Sequence, residues 1–312
     1  MPGTDPIGLV GLGLMGTAMS GRLLAAGRAV VGCDPSPAAR DAHVARGGTV
    51  VDTAADVASG CDVVLLSLPN GEVSQEVCLG RDGVAAGARD GTVVVDTSTT
   101  LPEQAEAVAE GLAPSGVTFL DAALSGYSGM VARGDVLAMV GGDATSVARV
   151  EDVLAAFCRE IRHVGGTGDG MRAKLVVNEV LSLNRYALAE GLVLAEKVGL
   201  DPAQMLAVLQ ASAAHSTAMD MWGRRMVEHD YAEPASRIST HDKDAQLILD
   251  LGRRNGAPLP AQAQLNGLVR AAIANGHGDR DNAVIVEVLR TLAGVSDLST
   301  ARSPVGPGRP AG

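Results

Sequence analysis

Short apolar runs recur along the first half of the chain, at residues 7–10, 30–34, 63–67, 93–96, 118–121 and 137–140, and each is followed by an Ala-rich stretch of helical period. Alternation of this kind predicts βαβ units and a parallel sheet. Runs such as Val93-Val94-Val95 are β-branched and apolar throughout, as strands are when helices cover both faces of the sheet. From about Gly170 the strand pattern stops, and residues 171–198 and 202–210 read as helices. The expected fold class is therefore an α/β N-terminal domain, a doubly wound parallel sheet, followed by an all-α C-terminal domain. The change falls in the glycine cluster at 165–170. Residues 1–165 are expected as the sheet domain, 166–298 as the helical domain, and 299–312, rich in Pro, Gly and Ser, as a flexible tail.

Composition narrows the class of partner. The chain has 312 residues, 46% hydrophobic and 20% charged, enough for two domains with their own cores. A formal net charge of -11 repels nucleic acid and anionic lipid, and no basic patch offsets it, so a small-molecule partner is expected, with no nucleic acid and no membrane. Residues 1–6 lack the pattern of a signal peptide and no apolar run is long enough to cross a bilayer, which points to the cytoplasm. Cys33, Cys61, Cys78 and Cys158 lie mostly in apolar stretches without C-x-x-C spacing and read as small core residues rather than a disulfide framework or zinc site. The dispersed histidines suggest no metal. His215 and Trp222 are candidates to line a substrate cleft, though for the tryptophan a core position is the default.

Gly11, Gly13 and Gly16 form G-x-G-x-x-G between the apolar run 7–10 and a helix-patterned segment at 15–26. That context is the dinucleotide-binding fingerprint: a tight turn, close backbone approach to a pyrophosphate at a helix N-terminus, and close helix-to-strand packing. Asp34 ends the second run, where an acidic side chain accepts hydrogen bonds from ribose hydroxyls. Its carboxylate repels a 2′-phosphate and residues 35–37 supply no arginine, so NAD is expected over NADP, with Arg40 the nearby complication. Further on, Lys174 and Asn178 share one helix face at i, i+4. Such a pair suits proton relay from a hydroxyl, but on spacing alone a solvated lysine beside an amide is the default.

Four blocks in order resemble the β-hydroxyacid dehydrogenase superfamily, which includes 3-hydroxyisobutyrate dehydrogenase and tartronate semialdehyde reductase. They are Gly11-Leu12-Gly13-Leu14-Met15-Gly16 continuing to Leu23; Asp121-Ala122-Ala123-Leu124-Ser125-Gly126-Tyr127; the cluster from Gly165 to Gly170 with Lys174 and Asn178; and Lys243-Asp244 with Leu247. The resemblance runs over nearly the whole chain. It implies a Rossmann domain holding NAD, a helical domain like that of 6-phosphogluconate dehydrogenase, and a homodimer or homotetramer. It implies hydride transfer between NAD and a small 3-hydroxy acid or its semialdehyde. Lys174 would be the general acid or base and Asn178 its companion on the same oxygen. Ser125 and Gly126 would bind the substrate carboxylate, with Tyr127 beside them. Gly11, Gly13, Leu14, Met15, Gly16, Asp34, Leu68, Pro69, Thr99 and Lys243 would contact the cofactor.

The chain departs from the family where Tyr127 replaces a second glycine of the substrate loop and Ala123 a proline. Tyr127 therefore narrows the pocket, adds a hydroxyl, or turns away. Two other readings stay open: a reductase of imines or of an unusual aldehyde on the same fold, and a catalytically inactive NAD-binding scaffold. The presence of Lys174 favours alcohol and carbonyl interconversion.

Overall fold

The computed structural model describes residues 5–234 and 236–295, so the expected tail at 299–312 lies outside the described residues. The chain divides into two compact units, one running to Asn178 with Arg253–Asn255, the other comprising Glu179–Gly252 and the residues from Gly256 onward.

In the first unit eight strands form one sheet: β1 (Ile7–Val10), β2 (Val30–Cys33), β3 (Thr49–Val50), β4 (Val63–Leu66), β5 (Val93–Asp96), β6 (Thr118–Ser125), β7 (Val136–Gly141) and β8 (Cys158–Gly165). Their order is β3-β2-β1-β4-β5-β6-β7-β8. Because successive side chains point to opposite faces, an all-apolar strand feeds two cores at once. Ile7, Leu9, Leu65, Val93, Val95 and Leu120 enter one cluster, whereas Val10, Val64, Leu66, Val94 and Phe119 enter the other. Each such side chain, taken fully out of water, contributes about 1.5–3 kcal/mol. All four cysteines are free and buried. His43 is buried too, with Nδ1 3.0 Å from Ser20 Oγ, a satisfied core histidine.

Two strands escape the sequence pattern, and both are edges. Thr49–Val50 is two exposed residues, and Cys158–Gly165 carries Arg159, Glu160, Arg162 and His163, the charged character by which edges avoid pairing with other chains. The sheet is also not parallel throughout: β6 and β7 pair antiparallel. A parallel crossover needs about a dozen residues or more, and the connection from Gly126 to Asp135 holds only the short helix Ser128–Arg133.

The second unit is helical. Among its described residues the only pairing of extended backbone is an isolated bridge between Arg237 and Asp281. Helices Pro202–Ala211, Ile238–Arg254, Pro260–Ala272 and Ile285–Leu292 surround a core that includes Leu192, Leu206, Trp222, Leu265 and Ile285. Asp201 starts the first of these by accepting from Gln204 N, with Pro202 at its first position. Trp222 is a core residue, with the Arg185 guanidinium 4.7 Å from its ring centroid. His215 is exposed and pairs with Asp220 at 2.9 Å. Arg290 is buried and donates to Glu287 at 2.6 Å and to Glu196 at 2.5 Å, while Tyr231 donates to the same Glu287. The 29-residue helix Asp169–Lys197 supplies its first turns to the sheet unit and the rest to this one.

Candidate active site

The glycine loop sits at the carboxyl end of β1, where the strand order reverses and open α/β sheets bind their ligands. Gly11 has φ +95°, and a Cβ there would lie 2.2 Å from Ser67 O; a Cβ on Gly16 would lie 1.9 Å from Gly11 O. Both positions therefore admit only glycine. Gly13 differs, with φ −66° and nothing within 4 Å of the place a Cβ would take. It precedes helix Leu14–Ala25, whose first turn has no acidic residue and no side-chain cap, so its backbone N–H groups are available to an anion. Leu14 is 81% exposed beside them, and Met15 is half-buried.

Asp34, just past β2, is tied to this loop: one carboxylate oxygen accepts from Leu12 N at 2.7 Å and the other from Ser36 N at 2.8 Å. Each oxygen keeps a lone pair for a ribose hydroxyl. The structure thus brings the fingerprint and the acidic residue together, and the set fits a dinucleotide. Arg40 stands 3.6 Å from Asp52.

Leu68, Pro69 and Thr99 follow β4 and β5 at the same end of the sheet. A residue that pattern reading misses is tied to the first of them. Asp96 is buried at the end of β5, accepts from Ser98 N at 2.8 Å and receives the Ser74 hydroxyl. Ser98 Oγ in turn accepts from Leu68 N at 2.9 Å. Burial pushes the Asp96 carboxyl up, against the two serines. An acidic residue closing an all-apolar strand is the sequence signal that would have found it.

The third group of residues lies at the end of β6. Lys174 is 8% exposed, and its Nζ donates to Leu124 O at 2.7 Å. This anchors the ε-amino group one residue from Ser125, with Gly126 turning the chain out of the strand at φ +148°. Asn178 follows Lys174 by one turn on the same helix. Tyr127 caps helix Ser128–Arg133, and its ring lies over Gly129, whose added Cβ would be 2.8 Å from Tyr127 Cε2. Where β6 begins to pair with β7, Asp121 is fully buried and accepts from Gly168 N and Met171 N, both at 2.8 Å.

Lys243 belongs to the second unit, on helix Ile238–Arg254, with Nζ 3.6 Å from Asp244 Oδ1. Two residues before it, His241 is buried and held well below the usual histidine range by burial and by the charge of Arg185. Among the described residues no group of three or more His, Cys, Asp or Glu is placed to hold a metal, and no helix is long and apolar enough to cross a membrane.

Residues 6–165 match the family described as the NAD binding domain of 6-phosphogluconate dehydrogenase, and residues 168–289 the family described as NAD-binding of NADP-dependent 3-hydroxyisobutyrate dehydrogenase. The chain is 32% identical to 2-(hydroxymethyl)glutarate dehydrogenase of Eubacterium barkeri over 290 residues, which is 93% of this chain and 96% of the relative. It is 31% identical to L-threonate dehydrogenase of Cupriavidus necator over 283 residues, 90% of this chain and 95% of that one. The solved 3-hydroxyisobutyrate dehydrogenase of Mycobacterium tuberculosis with L-serine superposes with a TM-score of 0.84 at 32% identity, covering 92% of this chain and 100% of its own. Matches over both halves of the chain, to relatives covered almost end to end, show that it belongs to the β-hydroxyacid dehydrogenase superfamily and is a nicotinamide-dependent dehydrogenase of the type acting on a CH–OH group.

Proposed function

We propose that this protein transfers a hydride between NAD and a small 3-hydroxy acid or its semialdehyde, with Lys174 as the general acid and base. The observation that carries the reading is the anchored lysine: a buried ε-amino group held to Leu124 O, one residue from Ser125. An amine held there can take or return the proton of a substrate hydroxyl. Asn178, one turn on, orients the same oxygen. Ser125 and the backbone of Gly126 bind the substrate carboxylate, a task suited to convergent O–H and N–H donors. Hydride acceptance and return is the chemistry the nicotinamide supplies when bound.

The names of the relatives support the substrate class. The hydroxyl of 2-(hydroxymethyl)glutarate stands on the carbon β to a carboxylate, and L-serine, present with the solved relative, is itself a 3-hydroxy acid. NAD is favoured over NADP because Asp34 presents a carboxylate where a 2′-phosphate would sit, and Arg40 is drawn to Asp52. Lys243, on helix Ile238–Arg254, is the cofactor contact that the family resemblance implies for the helical part. Val180 and Leu194, exposed along helix Asp169–Lys197, and Val198 just beyond its end support a homodimer or homotetramer that covers them.

The test is a spectrophotometric screen of small 3-hydroxy acids, sugar acids, semialdehydes and imines with NAD and NADP in parallel. Lys174→Ala should lower turnover by roughly a hundredfold or more while NAD affinity stays nearly unchanged. Tight NAD binding without turnover of any compound would replace the enzyme with a binding scaffold. Turnover that survives Lys174→Ala would sink the lysine's role.

A further inference from the structure

We infer that Asp121 is a positioning residue for Lys174: by accepting the backbone N–H groups of Gly168 and Met171, it fixes the start of helix Asp169–Lys197 against β6. This rests on the reading of Lys174 as the proton-moving group.

A helix begins with orphan N–H groups, normally satisfied by the residue just before it. Here two amides at the start of the helix are satisfied from a strand, by a side chain 47 and 50 residues earlier in sequence. The same strand offers a second attachment three residues on, where Leu124 O accepts from Lys174 Nζ at 2.7 Å. The helix is therefore held to β6 at two points. The strand itself is fixed independently, by its ladders to β5 and β7. Losing the carboxylate would loosen the first turn of the helix against β6 and move the ε-amino group with it, while the strand and Ser125 stay in place.

The surrounding glycines fit the carboxylate closely. A Cβ on Gly170 would lie 2.4 Å from Asp121 O and 2.9 Å from its Oδ2, and one on Gly141 would lie 2.5 Å from its Oδ1. Any larger residue at either place would force helix and strand apart. This accounts for glycines at this junction as part of the site rather than as a linker.

Burial raises the Asp121 carboxyl to about 6, and Asp96, its ladder partner on β5, adds to the rise against the two amides. On the helix, Arg172 is engaged by Glu106 and Asp169, and Lys174 by Leu124 O. β7 presents Gly141 at this point of the ladder. On protonation one oxygen becomes a hydroxyl and a weaker acceptor for its N–H, so turnover should fall as pH drops through about 6. The effect on stability has the opposite sign. A carboxyl raised above its unfolded value favours the fold below that pH and loses its contribution as pH rises through about 6. Loss of turnover on the acid side is thus distinguishable from unfolding.

The experiment compares wild type with Asp121→Asn, which keeps the shape and one acceptor but turns an N–H donor toward the other amide. At about pH 7.5 kcat should fall roughly tenfold or more, with substrate KM and NAD affinity within about twofold of wild type. The acid limb near pH 6 should vanish from its kcat profile. A variant with wild-type kcat, or one that keeps the same limb, overturns the inference. Should the variant not fold, the wild-type profile decides alone, because a kcat that is flat from about pH 7 to 5 excludes control by this carboxyl. Lys174→Ala run alongside separates the two claims: an active lysine variant sinks the reading beneath, whereas an inactive one beside a normal Asp121→Asn sinks only the positioning role.

Discussion

Three glycines of one loop meet three different demands, and substitution separates them. In Gly16→Ala the new methyl would stand 1.9 Å from Gly11 O, and in Gly11→Ala it would stand 2.2 Å from Ser67 O at a positive φ. Each should lower the stability of the cofactor-free protein by about 2 kcal/mol or more. Gly13→Ala meets open space and should change it by no more than about 1 kcal/mol. On the proposed binding mode its effect should appear instead as weaker dinucleotide binding, because the methyl would stand where the pyrophosphate approaches. Thermal melts without cofactor, paired with NAD titrations, check this; equal destabilisation by Gly13→Ala and Gly16→Ala would remove the distinction. At this scale the sequence speaks through local spacing. The loop glycines are legible because their spacing between an apolar run and a helical pattern is local, even though Gly11 packs against Ser67 from another strand's end, and Asp34 because β2 delivers it to Leu12 N. Asp121 and Asp96 are visible only as members of a run, since the groups that give them meaning come from distant segments or from loops without a pattern. The direction of Tyr127 is likewise beyond the sequence, because Gly129 is a partner only once helix Ser128–Arg133 has formed.

Among the elements, legibility follows position in the sheet. The six interior strands are the six apolar runs, whereas β3 and β8, at the two edges, have exposed or charged residues and no such run. Burial on both faces writes an interior strand into the sequence, and solvent on one side erases it. The helical unit holds its elements partly by charge. In helix Ile285–Leu292, Arg290 is 5% exposed and joins Glu196, on helix Asp169–Lys197, to Glu287, and it also donates to Met226 O at 3.2 Å. Replacing it with methionine fills similar space but leaves two carboxylates without their cation. Arg290→Met should therefore destabilise the fold by about 3–5 kcal/mol. Urea unfolding checks this, and a change below about 1 kcal/mol would show that the two carboxylates find water or protons instead.

For the whole molecule, the alternation of patterns announces an α/β part and a helical part, and the family matches follow the same succession. The antiparallel return of β7 is what pattern alone cannot give, since strand direction depends on the length and course of the connection. One further property follows from where the thiols lie. Cys33, Cys61, Cys78 and Cys158 are all in the sheet unit, and no cysteine follows residue 158. Burial pushes Cys61 up to about 11 and Cys158 to about 12, so the folded protein offers almost no thiolate to an alkylating or disulfide reagent. Labelling then times the opening of the nucleotide half alone, while the helical half stays silent. NAD at a hundred times its Kd should slow that clock about a hundredfold, and a rate indifferent to NAD would mean the thiols are reached through local breathing that the dinucleotide does not resist. The chain thus carries its own chemical stopwatch for dinucleotide occupancy, readable without substrate or turnover.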